Sequence, residues 1–134
     1  MSGPVPLVVV DGANVVGSVP DGWWRDRKGA AARLRDALVP YAAAGLPANS
    51  GAPQWATAGP VELVLVTEGA ARGVPSVPGV RVEEAPGSGD DLIAALAAEA
   101  AGRPCLVVTA DRGLRARVES AGAVCAGPRT VRPR

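Results

Sequence analysis

LVVVDGANVVG, residues Leu7 to Gly17, decides the fold. Leu7 to Val10 is an unbroken apolar run, mostly β-branched, as expected of a central strand buried on both faces of a parallel sheet. The run ends at Asp11-Gly12, where glycine permits a tight turn and Asn14 can fix the loop or the carboxylate by hydrogen bonds. In an open parallel sheet the carboxyl ends of the strands share one edge, and ligands bind in the crevice there. Asp11 is therefore placed at that edge, although Asp-Gly after a strand is also an ordinary turn.

Several strand-loop chemistries fail against the same residues. Gly12 and Gly17 have phosphate-loop spacing, but Ser18 stands where a lysine is required, and no GxGxxG fingerprint is present. A haloacid-dehalogenase-type phosphatase needs a second Asp two residues after Asp11, where this chain has Ala13. A response-regulator receiver needs a Lys after a late strand, and the only Lys is Lys28.

Outward from this stretch, Ala31, Leu34, Leu38 and Tyr41 recur at helical spacing, predicting a helix between Arg27 and Ala44 that stops near Pro40 or Gly45. Leu46 to Pro60 has neither period and is expected to be a loop. Val61 to Thr67 predicts a second strand, Val80 to Glu83 a short third, Cys105 to Thr109 a fourth and Ala123 to Ala126 a fifth. Ser88 caps a helix carrying Leu92, Ile93, Leu96, Ala97 and Ala100, and Arg112 to Ser120 forms another with Leu114 and Val118 inward. The order β-α-β-β-α-β-α-β implies one domain over residues 1–134. It would be a three-layer α/β/α sandwich with a mostly parallel sheet, a core of about 5–127 and a basic tail from 128 to 134.

Composition narrows the chemistry. A net charge of +1, from 14 basic and 13 acidic residues, gives no bulk attraction for nucleic acid, so such binding must come from local clusters. The absence of histidine removes His-based metal sites and Ser-His or Cys-His catalysis. Cys105 and Cys125 lack metal-ligand spacing and read as reduced core residues. The apolar runs are strand-sized and the N-terminus has no leader pattern, so a cytoplasmic protein without a membrane span is expected.

The remaining acids fall at comparable places. Asp111 follows CLVVTA, Glu68 follows VELVLVT, and Asp90-Asp91 opens the helix that Ser88 caps. Each has a plain structural reading as a turn, a cap or an acid favourable to a helix dipole. Adjacent helical residues point about 100° apart, so only one of Asp90 and Asp91 can face a site directly, and Asp91 is favoured. Thr109 can hydrogen-bond a carboxylate, and Arg112 can meet a phosphate or pair with an acid.

Taken in order, VVVDGANVVG, GDDLI and VVTADRG resemble the NYN domain, including YacP-like proteins, of the PIN-like nuclease superfamily. The resemblance implies a metal-dependent endoribonuclease with the acidic cluster Asp11, Asp90, Asp91 and Asp111, in which Asp11, Asp90 or Asp91, and Asp111 would bind Mg²⁺ or Mn²⁺, water would be activated at the metal, and RNA would be the substrate. Asn14 would support the acids, with Thr109, Glu68 and Arg112 as further supporting residues; Glu68 departs from the Asp that many relatives carry nearby. An all-oxygen ligand set suits such hard cations. Trp23, Trp24, Arg25, Arg27 and Lys28, aromatics interleaved with cations, are expected to rim the edge and hold bases and phosphates, and Arg129, Arg132 and Arg134 to track a backbone. Two alternatives accompany this reading: a non-catalytic RNA-binding or scaffolding module, and a metal-dependent phosphohydrolase acting on small phosphates. The residues set neither the RNA nor the oligomeric state.

Overall fold

The strands are β1 (Leu7–Asp11), β2 (Glu62–Thr67), β3 (Val80–Glu84), β4 (Cys105–Val108) and β5 (Val124–Ala126). In this computed structural model, which describes residues 4–132, they form one sheet in the order β3-β2-β1-β4-β5, every neighbouring pair parallel. The helices are α1 (Gly12–Gly17), α2 (Arg27–Ala44), α3 (Gln54–Thr57), α4 (Gly89–Glu99) and α5 (Arg112–Ser120).

Alternation along β1 builds two cores. Val8 and Val10 pack with Val15, Val16, Leu34 and Leu38 from α1 and α2, whereas Leu7 and Val9 pack with Ile93, Leu96, Leu114 and Val118 from α4 and α5. Each fully buried Val or Leu contributes roughly 1.5–3 kcal/mol, so this central strand, buried along its length, anchors both layers. From β1 the chain proceeds to β2 and β3 on one side, then returns past β1 to β4 and β5 on the other. Reversing direction while keeping the favoured crossover hand puts the later helices on the opposite face. The reversal leaves a crevice between the carboxyl ends of β1 and β4.

Four local features depart from, or add to, the sequence reading. The turn after Asp11 is a short helix, α1, too brief to show a period. Of the two stops considered for α2, the helix passes exposed Pro40 and ends at Gly45, whose φ of 86° suits glycine and whose N–H bonds Tyr41 O at 2.8 Å. The stretch from Leu46 to Pro60 is no simple loop: it contains α3, and Leu46 and Ala56 are buried in the core and joined by a 2.8 Å backbone bond. The expected basic tail also packs through residue 132, with Thr130 and Val131 buried and Arg132 reaching Asp21 and the carbonyls of Val15 and Val16; Arg134 lies outside the described residues.

Gly12 shows why the first turn is so tight. A Cβ there would stand 2.5 Å from the Val66 carbonyl oxygen, a backbone atom held in β2. Gly12→Ala is therefore expected to destabilise the fold by about 1–3 kcal/mol through forced backbone displacement. A urea midpoint unchanged from wild type would contradict this.

Candidate active site

Asp11 ends β1 and caps α1, its Oδ1 accepting from the Asn14 N–H at 3.4 Å. Asp111 likewise caps α5, its Oδ1 accepting from the Leu114 N–H at 2.9 Å. The two are tied through Thr109, whose hydroxyl accepts from the Asp111 N–H at 3.1 Å and donates to Asp11 Oδ2 at 2.9 Å. Asn14 adds a second tie across the crevice, its side-chain oxygen accepting from the Ala110 N–H at 2.8 Å. The capping role and the placement of an acid at the sheet edge are thus one arrangement.

Two further carboxylates approach from the β2 and α4 side. Glu68 follows β2 and accepts from the Gly89 N–H at the start of α4. Asp90 is half-buried on the first turn, where Asp111 and Glu68 act on its charge. Asp91 instead turns outward: its side chain is 84% exposed and pairs with Arg117 at 3.0 Å. The sequence preference for Asp91 is reversed in placement, because α4 enters with the Asp90 side toward the crevice. Glu68 joins the group more closely than a solvated loop acid would.

Electrostatics express this crowding. Asp11 is only 7% exposed, and burial pushes its carboxyl above the ordinary value of 3.8. The bonds from Thr109 and Asn14 oppose that shift, while the charges of Asp90 and Glu68 add to it. Asp90 is raised too, first by desolvation, then by Asp111 and Glu68, with Arg117 opposing. The N-termini of α4 and α5 point to this edge and partly offset the charge through their dipoles. Among the described residues, no three acidic side chains form a ready-made cation cage. The donors at this edge are carboxylate and hydroxyl oxygens with no nitrogen or sulfur among them, the kind of donor that hard cations such as Mg²⁺ and Mn²⁺ take.

A cleft of about 380 Å³ adjoins these acids, lined by Trp23, Arg27, Thr67, Glu68 and Arg72 among others. Trp24 is 50% exposed, with the Arg25 guanidinium 5.8 Å from its ring centre, and neither lines the cleft. Lys28 is directed to a separate hollow beside Gly73, so it leaves the rim predicted for it. Arg112 is exposed on the first turn of α5. Arg129 is exposed on a 3-10 turn, and Arg132 is engaged with Asp21. Arg72 escaped the sequence reading; its position in a Gly-rich connection, without period or motif, carried no signal.

No protein-family profile matches the sequence, and no curated protein matches it significantly. The crystal structure of a mutant of Rae1 (YacP) from Bacillus subtilis superposes with a TM-score of 0.67 at 19% identity, covering 95% of this chain and 72% of that one. The chain has the fold of Rae1. The similarity spans nearly the whole of this chain, and the YacP-like group is the one its three motifs resemble. At this identity the likeness to Rae1 is one of fold: an α/β sandwich with a parallel central sheet. Among the described residues, no helix is long and apolar enough to cross a membrane.

Proposed function

We propose that this chain is a metal-dependent endoribonuclease acting in the cytoplasm. The observation that carries the proposal is the tie of Asp11 to Asp111 through Thr109, with the charges of Asp90 and Glu68 acting on Asp11, in a fold shared with Rae1. Asp11, Asp90 and Asp111 would hold Mg²⁺ or Mn²⁺, with Glu68 beside them and Asn14 and Thr109 fixing their positions. When bound, such a cation supplies charge stabilisation for the phosphoryl group and lowers the pKa of a water nucleophile.

The chain's own residues do the rest. Thr109 and Asn14 pin the ends of β1 and β4 together, so the Asp11 and Asp111 carboxylates are oriented before substrate arrives. That fixed orientation lowers the reorganisation needed at the transition state. Trp23, Arg27 and Arg72 give the RNA a stacking surface and cations beside the acids.

Incubation of the protein with single-stranded and structured RNA tests the proposal. Cleavage is expected with Mg²⁺ or Mn²⁺ and none with a chelator. Cleavage unaffected by chelation would contradict the metal-dependent reading, and salt-sensitive binding without turnover would mark the chain as an RNA-binding module instead.

A further inference from the structure

The cleft beside the acids has a shape and lining that an acidic cluster alone does not require. On one part of its wall the Arg27 guanidinium lies over the Trp23 indole, 5.2 Å from the ring centre. Trp24 meets Trp23 edge-on with centroids 5.8 Å apart, which steadies the ring. Arginine spread on an indole forms a flat, cationic plate, and unpaired bases stack on both aromatic rings and guanidinium planes.

Arg72 is also part of the wall. Its Nε and one terminal nitrogen donate to the Ala85 and Pro86 carbonyls at 3.0 and 2.9 Å. Those bonds hold the guanidinium in place and leave its other terminal nitrogen for a ligand. Thr67, 1% exposed on the same wall, has a hydroxyl with no hydrogen-bond partner, which is costly unless something else serves it. Glu68 belongs to both the cleft and the acidic group, so a molecule filling the cleft would adjoin the acids. At about 380 Å³ the space falls within the range of small-ligand pockets, about 300–1,000 Å³.

We propose that the cleft is a base subsite: a nucleotide flanking the scissile phosphate lays its base on the Arg27–Trp23 plate, while Arg72 donates to an acceptor of the same nucleotide. The inference rests on the reading of the chain as one that acts on RNA, and it assigns Arg27, Trp23 and Arg72 to holding one base rather than to general attraction for the backbone. Ionic attraction is indifferent to whether a base is present, whereas stacking is lost with it.

The test measures binding without cleavage. Short single-stranded RNAs, each abasic at one position, are titrated against the full chain in chelating buffer, using fluorescence anisotropy. Wild type is expected to bind at least about fivefold more weakly when one particular position is abasic, the lower end of what one stacked base contributes. Arg27→Ala, at an exposed position and confirmed as folded by circular dichroism, should bind intact RNA more weakly and show no further abasic loss. Arg33→Ala removes an equal charge outside the cleft and should keep the abasic loss in full. A chain that binds no RNA, that binds with no position sensitive, or whose Arg27→Ala variant keeps the whole abasic loss overturns the subsite. RNA bound with this pattern but never cleaved would support the subsite while removing the catalytic reading.

Discussion

Asp11→Asn is expected to lower RNA cleavage at least about a hundredfold while leaving the melting temperature in metal-free buffer at or above that of wild type. Groups that merely support a metal ligand are worth about 10–100-fold, so loss of the ligand itself sets the larger figure. The stability half of the result follows from burial. Asp11 is 7% exposed, and its carboxyl is raised by desolvation and by the charges of Asp90 and Glu68. A carboxyl whose pKa is higher in the folded state binds its proton more tightly there. Folding is then favoured below the unfolded value of 3.8, and that contribution is lost as pH rises through the raised value. At neutral pH the charge is a burden that asparagine lacks. The amide oxygen can keep the 2.9 Å bond from Thr109, and the bond given up is the long one of 3.4 Å from Asn14. A gain of ~1 kcal/mol would raise the midpoint by roughly 2–8 °C in a domain of this class, shrinking as pH falls toward 3.8. Added Mn²⁺ should raise the wild-type midpoint and leave the variant nearly unmoved, since a ligand stabilises only the state that binds it. An inactive variant that melts well below wild type would indicate a structural acid instead.

The second large effect separates two neighbours. Asp90→Asn is expected to reduce cleavage by roughly the same hundredfold as Asp11→Asn, on the same ligand argument. Asp91→Asn should stay within about twofold of wild type, because an exposed ion pair such as Asp91–Arg117 contributes at most about 1 kcal/mol and stands outside the crevice. Cleavage rates of both variants at saturating Mn²⁺ decide the matter. Equal losses, or a greater loss at Asp91, would place the wrong acid in the group.

That pair also marks where the sequence stops being readable. The apolar runs ending at Asp11 and Asp111 carry their own direction, and a parallel sheet sends both to one edge, so their approach follows from strand order. The five strands and the helices α2, α4 and α5 follow from runs and periods long enough to be read. The inward acid at the start of α4 depends instead on how that helix docks, which no pattern within GDDLI records. Glu68 is similar: its place is set by the N-terminus of α4, contributed by residues about twenty positions later. α1 and α3 are too short to show a period, and α3 is held by tertiary bonds such as Leu46 N–H to Ala56 O. Lys28, expected at the rim, lies elsewhere, and Arg72, to which no pattern points, lines the cleft. The cationic run after Trp23 bends Lys28 away, while the β2–β3 connection folds Arg72 toward the cleft.

The central claim is that acids at the end of β1, the start of α4 and the start of α5 meet to hold one kind of cation. An anomalous-scattering map from a Mn²⁺-soaked crystal measures this directly, locating the ion and its ligands together. A peak bounded by Asp11, Asp90 and Asp111, with Asp91 remaining on Arg117, is the expected result. Manganese at another site with those three carboxylates unengaged would contradict it.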